Sequence, residues 1–368
     1  MNWNLFQKLF PPKDFLGIDI GTSAIKIVEV SQFKKKQKLK NYGSISVNAF
    51  SQESFRTFEE NNNILFSVED VAKGIKTIIQ EAEIKTRKAV FSVPDFSTFF
   101  TNFELPLMKK EELEQVIQYE AKQHVPLPLK KVTLSWQIIK GNVLDNKKHN
   151  INKEEKLKIL LVAVSNEIIN QYKEIATLSQ LELISLEPEV FSLMRSLIDK
   201  NEKEPVILIE IGAKTTTCSI INELILENSY SFDMSSDEFN KEIIKKFNVS
   251  YLEAEEIKKK YGILGKEKKG EIIRQILLPL VDVILIEIEQ VFNSFYQKEK
   301  KEIKKIILAG GAVLLPGLKE YFEVNLKKEI IISQPFSTLE YPPVLEEILK
   351  KMGPSYAVAV GAALKELA

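Results

Sequence analysis

Apolar runs of strand length alternate along the chain with amphipathic stretches of helical period, and glycines, prolines and charge clusters break them up; this is the pattern of an α/β protein. Two of the runs are near copies. Phe15 to Ser31 reads FLGIDIGTSAIKIVEVS, and Val206 to Asn222 reads VILIEIGAKTTTCSIIN. Each predicts an apolar strand, an acid followed by Ile and Gly, a short hydroxyl-bearing turn and a second strand, so each is a hairpin. The register is constant, because Asp19 and Glu210 are 191 residues apart, and so are Gly21 and Gly212. A repeat of this kind predicts two copies of one unit.

A third apolar strand in KKIILAGGAVLLPGLKEYF, from Lys304, breaks at Gly310 and Gly311 and leads into a helix through Pro316. FFTNFELP from Phe99 and LSWQII from Leu134 alternate imperfectly and predict strands of a smaller α/β layer. In YLEAEEIKKKYG, Glu255 and Lys258 stand at i and i+3, on one helix face. The closing PSYAVAVGAALKEL places alanines and glycines at helical spacing, which allows a close helix crossing at the junction of the two copies.

At 368 residues the chain has room for two or three domains of about 150 residues each. Its 44% apolar and 28% charged residues are those of an ordinary globular protein with a sizeable core. Lysine plus arginine and aspartate plus glutamate each number 51, so no global field draws the molecule to nucleic acid or anionic lipid. The basic run Phe33 to Lys40 fits a solvated hairpin tip, with a contact to an acidic membrane leaflet as the alternative.

The single cysteine, Cys218, and the lack of a secretory signal predict a reducing compartment. The longest apolar stretch, from Ile306, is interrupted by glycines and is shorter than the about 20 residues that span a bilayer, so no transmembrane helix is expected. MNWNLFQKLFPPK at the start predicts an arm folded onto its own protein or an anchor to a partner or membrane. His124, at a predicted helix end, and His149, in a polar loop, make no zinc cluster with Cys218, which reads as a buried core residue. Neither a nucleophilic triad nor a Walker or dinucleotide fingerprint is present.

The hairpins carry the chemistry. Glycine at the turn lets backbone N–H groups approach phosphate oxygens closely. Thr22 and Ser23 on the first turn and Thr215 and Thr216 on the second add donors, each charge-assisted bond contributing about 1.5–3 kcal/mol. Two facing hairpins would clamp one polyphosphate, with Asp19 and Glu210 holding Mg²⁺ through its waters. Gly310 and Gly311 suit close approach of a nucleoside. Taken singly, each feature also fits a plain structural turn.

In their order along the chain, these three elements resemble the superfamily of actin, sugar kinases and heat-shock chaperones. The resemblance implies the actin-like, ribonuclease H-like duplicated two-lobed fold, with ATP and Mg²⁺ between the lobes. The segment from Ala89 to Gln180 is similar to the subdomain inserted in the FtsA and PilM families, and closer to PilM. It carries Ser92-Val93-Pro94, Leu105-Pro106, Glu120-Ala121 ahead of Val125-Pro126, and then LSWQII.

The implied domains are a first lobe at 1–90, 181–203 and 355–368, an inserted partner-binding subdomain at 91–180, and a second lobe at 204–354. A small nucleoside-side subdomain falls at about 235–300. Glu255 and Lys258 would flank the ribose and base. The chain departs from the family at Glu210, usually Asp, at Ser235 and Ser236, usually Gly-Gly, and at Glu187, commonly Asp. Those departures leave Glu187 and Glu210 as the only catalytic candidates and imply slow hydrolysis at most.

The implied function is a cytoplasmic ATP-binding scaffold of a type IV pilus machine, peripheral to the inner membrane through its partners. Its partner would be a PilN-like inner-membrane protein whose N-terminal peptide docks between the first lobe and the inserted subdomain, with Phe100 and Trp136 as candidate contacts. An FtsA-like membrane tether, a small-molecule kinase and a type II secretion component are the alternatives.

Overall fold

The computed structural model describes residues 13–46, 56–58, 64–141, 143 and 156–367; the N-terminal aromatic segment and His149 lie outside them. The first copy begins with β1 (Lys13–Ile20), β2 (Ala24–Phe33) and β3 (Lys36–Ser46). A two-stranded ribbon of β4 (Arg56–Phe58) and β5 (Ile64–Phe66) comes next, then α1 (Val68–Glu81) and β6 (Lys88–Val93). The inserted layer is β7 (Thr98–Pro106), α2 (Lys110–His124), β8 (Val132–Lys140) and β9 (Lys156–Ser165). The chain returns through α3 (Asn166–Leu178), β10 (Glu182–Pro188) and α4 (Glu189–Leu197).

The second copy is β11 (Val206–Ile211), β12 (Thr216–Asn222), β13 (Ile225–Phe232), α5 (Ser236–Phe247), α6 (Tyr251–Tyr261), α7 (Lys268–Glu299), β14 (Lys305–Ala309), α8 (Leu318–Leu326) and β15 (Glu329–Ile332). α9 (Glu346–Leu364) closes the fold.

The two main sheets have the same plan. One is ordered β3-β2-β1-β6-β10, the other β13-β12-β11-β14-β15. In both, the first three strands are antiparallel and the rest run parallel to the central one. The parallel strands read as continuous apolar runs because both faces are covered. On the first sheet, Leu16, Ile18 and Ile27 pack with α1 and α3 on one face, while Val28, Val30 and Leu39 meet α9 on the other. In the second, Ile273, Leu277, Val281, Ile284 and Ile288 form the buried stripe of α7 against β11, β12 and β14.

α9 crosses tightly, as its small residues led us to expect. A Cβ built on Gly17 of β1 would lie 1.9 Å from the Ala359 carbonyl oxygen, and one on Gly361 would lie 1.8 Å from that of Ser192. Only glycine admits that approach.

Two expected boundaries differ from the packing. α3, inside the expected 91–180 subdomain, buries Ile168, Tyr172, Ile175 and Ala176 in the core of the first sheet. Residues Phe336 and Leu339, expected in the second lobe, pack with α9 on the outer face of the first sheet. Both shifts arise because an apolar helical face or loop joins whichever sheet is nearest in space, which a linear boundary does not register.

The basic run is a hairpin tip, with Lys34 in the left-handed region at φ 58° and Lys36 paired to Glu340 at 2.7 Å. His124 ends α2, stacks on Phe103 and lies 3.6 Å from Glu120. Cys218 is buried, and burial pushes its thiol pKa up. No described helix is long and apolar enough to cross a membrane.

Candidate functional site

The two hairpins face each other across a cleft of about 570 Å³, within the range of small-molecule sites. Their turns are made identically: the Gly21 N–H donates to the Ala24 carbonyl and the Gly212 N–H to the Thr215 carbonyl, both at 2.9 Å. The cross-strand registers match as well, pairing Asp19 with Lys26 and Glu210 with Thr217. Among the residues expected at this site, Asp19, Gly21, Thr22, Ser23, Glu210, Gly212, Thr215, Glu255, Gly310 and Gly311 all line the cleft.

Gly310 has φ of 93°, and a Cβ there would meet the Ile211 carbonyl oxygen at 2.4 Å. Gly311 is open, with nothing within 4 Å of its Cβ position.

Three expected residues stand elsewhere. Thr216 is fully buried and its hydroxyl donates to the Met234 carbonyl at 2.6 Å; alternation along β12 turns Thr217 to the cleft instead. Lys258 is buried beneath the wall, with its ammonium 2.5 Å from both Ser236 Oγ and Glu255 Oε2. Glu187 is sequestered: Arg195 grips both its oxygens, at 2.6 and 3.0 Å, and Ser192 and Lys365 add further bonds. A carboxylate so held is committed to that ion pair and does not line the cleft.

Its neighbour Glu189, two residues on and first in α4, lines the cleft in its place. Glu189 forms an acidic floor with Asp19 and Glu210, and the buried Asp95 lies behind it. The Asp95 N–H donates to Glu189 Oε2 at 3.3 Å, and Asp95 Oδ1 accepts from the Val190 N–H at 3.1 Å. Asp95 Oδ2 is buried with no hydrogen-bond partner among the described groups.

Burial, then the charge of Glu189, holds the pKa of Asp95 well above the usual carboxylate range. Glu210 is raised by the same two causes, with Asp19 and Asp95 adding and Lys26 opposing. Lys26 donates to Asp19 Oδ2 at 2.9 Å. Burial works against its charge, but Asp19 and Glu210 outweigh that and raise its pKa.

Lys26, Asp95 and Glu189 went unnoticed in the sequence. Lys26 had a usable signal, since a two-stranded hairpin of fixed register sets position 26 opposite Asp19. Glu189 and Asp95 had none, because the two residues that meet are 94 positions apart.

The lining holds four lysines, Lys26, Lys214, Lys259 and Lys351, against five acids, Asp19, Glu189, Glu210, Asp237 and Glu255. Such a lining does not attract a naked polyanion. It suits a polyphosphate accompanied by a divalent cation.

The partner candidates fall on opposite faces of the inserted sheet. Phe100 faces α4, edge to face with Phe191 at 6.2 Å. Trp136 is half-buried on the α2 side, packed with the core of Leu113 and Ile117. A single docked strand on one face cannot meet both.

The duplicated sheets with an open cleft between their hairpins define an actin-like two-lobed protein. Residues 17–367 match the family described as Type IV pilus assembly protein PilM. The chain belongs to that family. A solved structure titled as a PilM-PilN type IV pilus biogenesis complex superposes with a TM-score of 0.82 at 21% identity, covering 97% of this chain and 100% of that one. Ethanolamine utilization protein EutJ from Carboxydothermus hydrogenoformans gives 0.57 at 14% identity, over 96% and 90%. MreB 5 of Spiroplasma citri bound to AMPPNP gives 0.54 at 12%, over 96% of each chain. At these identities the structures show a shared fold.

Proposed function

We propose that the protein is a cytoplasmic scaffold of type IV pilus assembly that holds Mg-ATP between its lobes and docks a short segment of a PilN-like inner-membrane protein on its inserted subdomain. Family membership supports the pilus role, and neither a division tether nor a small-molecule kinase is favoured by it. The nucleotide reading rests on one observation above the others: two hairpins of matched register present glycine turns and hydroxyls to the same cleft. Lys26 and Lys214 stand beside the phosphate path, and the acids on its floor suit Mg²⁺ held through water.

The docking reading is supported by the edge of the inserted sheet, ordered β7-β9-β8, where β8 pairs only with β9 among the described strands. Thr133, Ser135 and Gln137 are exposed and share the face of Val162 and Leu160, the face turned to α4. An extended segment would add to this edge between subdomain and first lobe. On packing, we place the inserted subdomain at about residues 98–165 and assign α3 to the first lobe.

Calorimetry with Mg-ATP tests the nucleotide reading. The wild-type chain should bind, and Gly311→Val, whose Cβ would have nothing within 4 Å, should bind at least about tenfold more weakly with an unchanged melting temperature. Equal affinity in the two proteins would remove the reading.

A further inference from the structure

Two features that stand apart along the chain meet at one end of the first sheet. β1 begins at Lys13, which pairs with Gln32 of β2; beyond Gln32, β2 ends at Phe33 and turns through Lys34 and Lys35 into β3. The segment of residues 1–12, with its Trp3, Leu5, Phe6, Leu9 and Phe10, therefore joins the described chain beside the basic hairpin tip. This end is remote from the cleft. Asp19 follows Lys13 along β1 by about 20 Å, at the rise of an extended strand.

The tip carries charge that the fold does not neutralise. Lys13, Lys34, Lys35, Lys36 and Lys38 are all exposed. The acids around them are engaged: Asp14 and the buried Glu29 with Lys40, at 2.9 and 3.3 Å, and Glu340 with Lys36 at 2.7 Å. Among the described residues no acid pairs with Lys13, Lys34, Lys35 or Lys38. Lys34 instead holds its Nζ 5.8 Å from the centre of the Phe33 ring. The segment before Lys13 adds Lys8 and no acid. Its apolar residues recur at helical spacing, Trp3, Phe6 and Phe10 at i, i+3 and i+7, and Leu5 and Leu9 at i and i+4.

We infer that this end of the first lobe is a membrane-facing surface, which binds anionic phospholipid through the lysine tip and the apolar side chains of residues 3–10 together. Lysines alone attract any polyanion, and an apolar segment alone fits a groove on a protein. Set side by side they match a bilayer surface, where anionic headgroups attract the cations and the acyl boundary takes up aromatic and leucine side chains. One such signal gives marginal attachment, and two give a stable one. The zero net charge of the chain does not oppose this, because the attraction is local and acts within about 10 Å. Contact at this end leaves the cleft open. It would attach the chain to a membrane directly, in addition to the attachment through a partner, and it does not depend on the nucleotide or docking readings above.

Cosedimentation of the full chain with vesicles tests this, using phosphatidylcholine alone and with about one third phosphatidylglycerol. Wild type should bind the anionic vesicles at least about tenfold more tightly than the neutral ones, and less tightly as salt rises. Lys34→Glu, Lys35→Glu and Lys38→Glu together should weaken anionic binding at least about tenfold, and so should Phe6→Ser with Phe10→Ser, with an unchanged melting temperature in both variants. In Trp136→Phe, which leaves Trp3 as the sole tryptophan, emission should shift to the blue when anionic vesicles are added. No binding, equal binding to the two kinds of vesicle, full anionic binding in either multiple variant, or a Trp3 emission that does not move overturns the proposal. Tight binding of a mixed-sequence RNA without vesicle binding overturns it too, and would assign the tip to nucleic acid.

Discussion

At the scale of single residues, two carboxylates on one short segment have opposite fates. Glu187 ends a strand and turns into the ion pair with Arg195, while Glu189 starts α4 and faces the cleft. Type and spacing do not separate them; the strand-to-helix junction at Pro188 does. Glu210 illustrates the cost of assembling such a floor. Its folded pKa lies above the unfolded value, so between the two values the folded chain binds the additional proton and stability falls as pH rises through that window. We expect Glu210→Gln, without Mg²⁺ or nucleotide, to raise the melting temperature by roughly 1–3 °C at pH 8, with the gain fading toward pH 4. A lower melting temperature at pH 8 would show that Glu210 is stabilised by a partner in the folded chain. Thr216 and Lys258 were misplaced for a similar reason: both stand in the right motif, but side-chain direction along a strand or helix decides which neighbour reaches solvent.

Among elements, α9 and α3 show how packing redraws boundaries read from sequence. The small residues of α9 were legible as a close crossing, and Gly361 against Ser192 is where that crossing is tightest. Gly361→Ala should destabilise the protein by about 3 kcal/mol or more, measured by urea unfolding, because the added methyl meets backbone that cannot rotate away. A change below about 1 kcal/mol would mean that α9 shifts freely. α3 offered no comparable signal. Its amphipathic face would serve the inserted sheet or the first one equally well, and Tyr172 packing edge to face on Phe91, 6.0 Å between rings, settles the choice.

For the whole molecule, the inserted subdomain is tied to both lobes. Phe100 meets Phe191 of α4, Asn102 Nδ2 donates to the Leu226 and Glu227 carbonyls at 2.9 and 3.1 Å, and Lys158 pairs with Glu227 at 2.5 Å. The outer edge of β8 lies outside those ties. Placing arginines at Ser135 and Gln137 should therefore weaken binding of a peptide with the partner's N-terminal sequence by at least about tenfold, while Mg-ATP affinity is unchanged. Full peptide affinity in that double variant would place docking elsewhere. The duplication, both hairpins, the Gly-Gly loop and the family were all determined by the sequence, because each depends on neighbours along the chain and on glycines whose conformational need is local. What only the tertiary structure decided is which acids meet beside the cleft, that Lys258 is turned inward, and which sheet α3 packs against. Those are consequences of segments packed from distant parts of the chain, and burial and charge act there between residues that no local pattern relates.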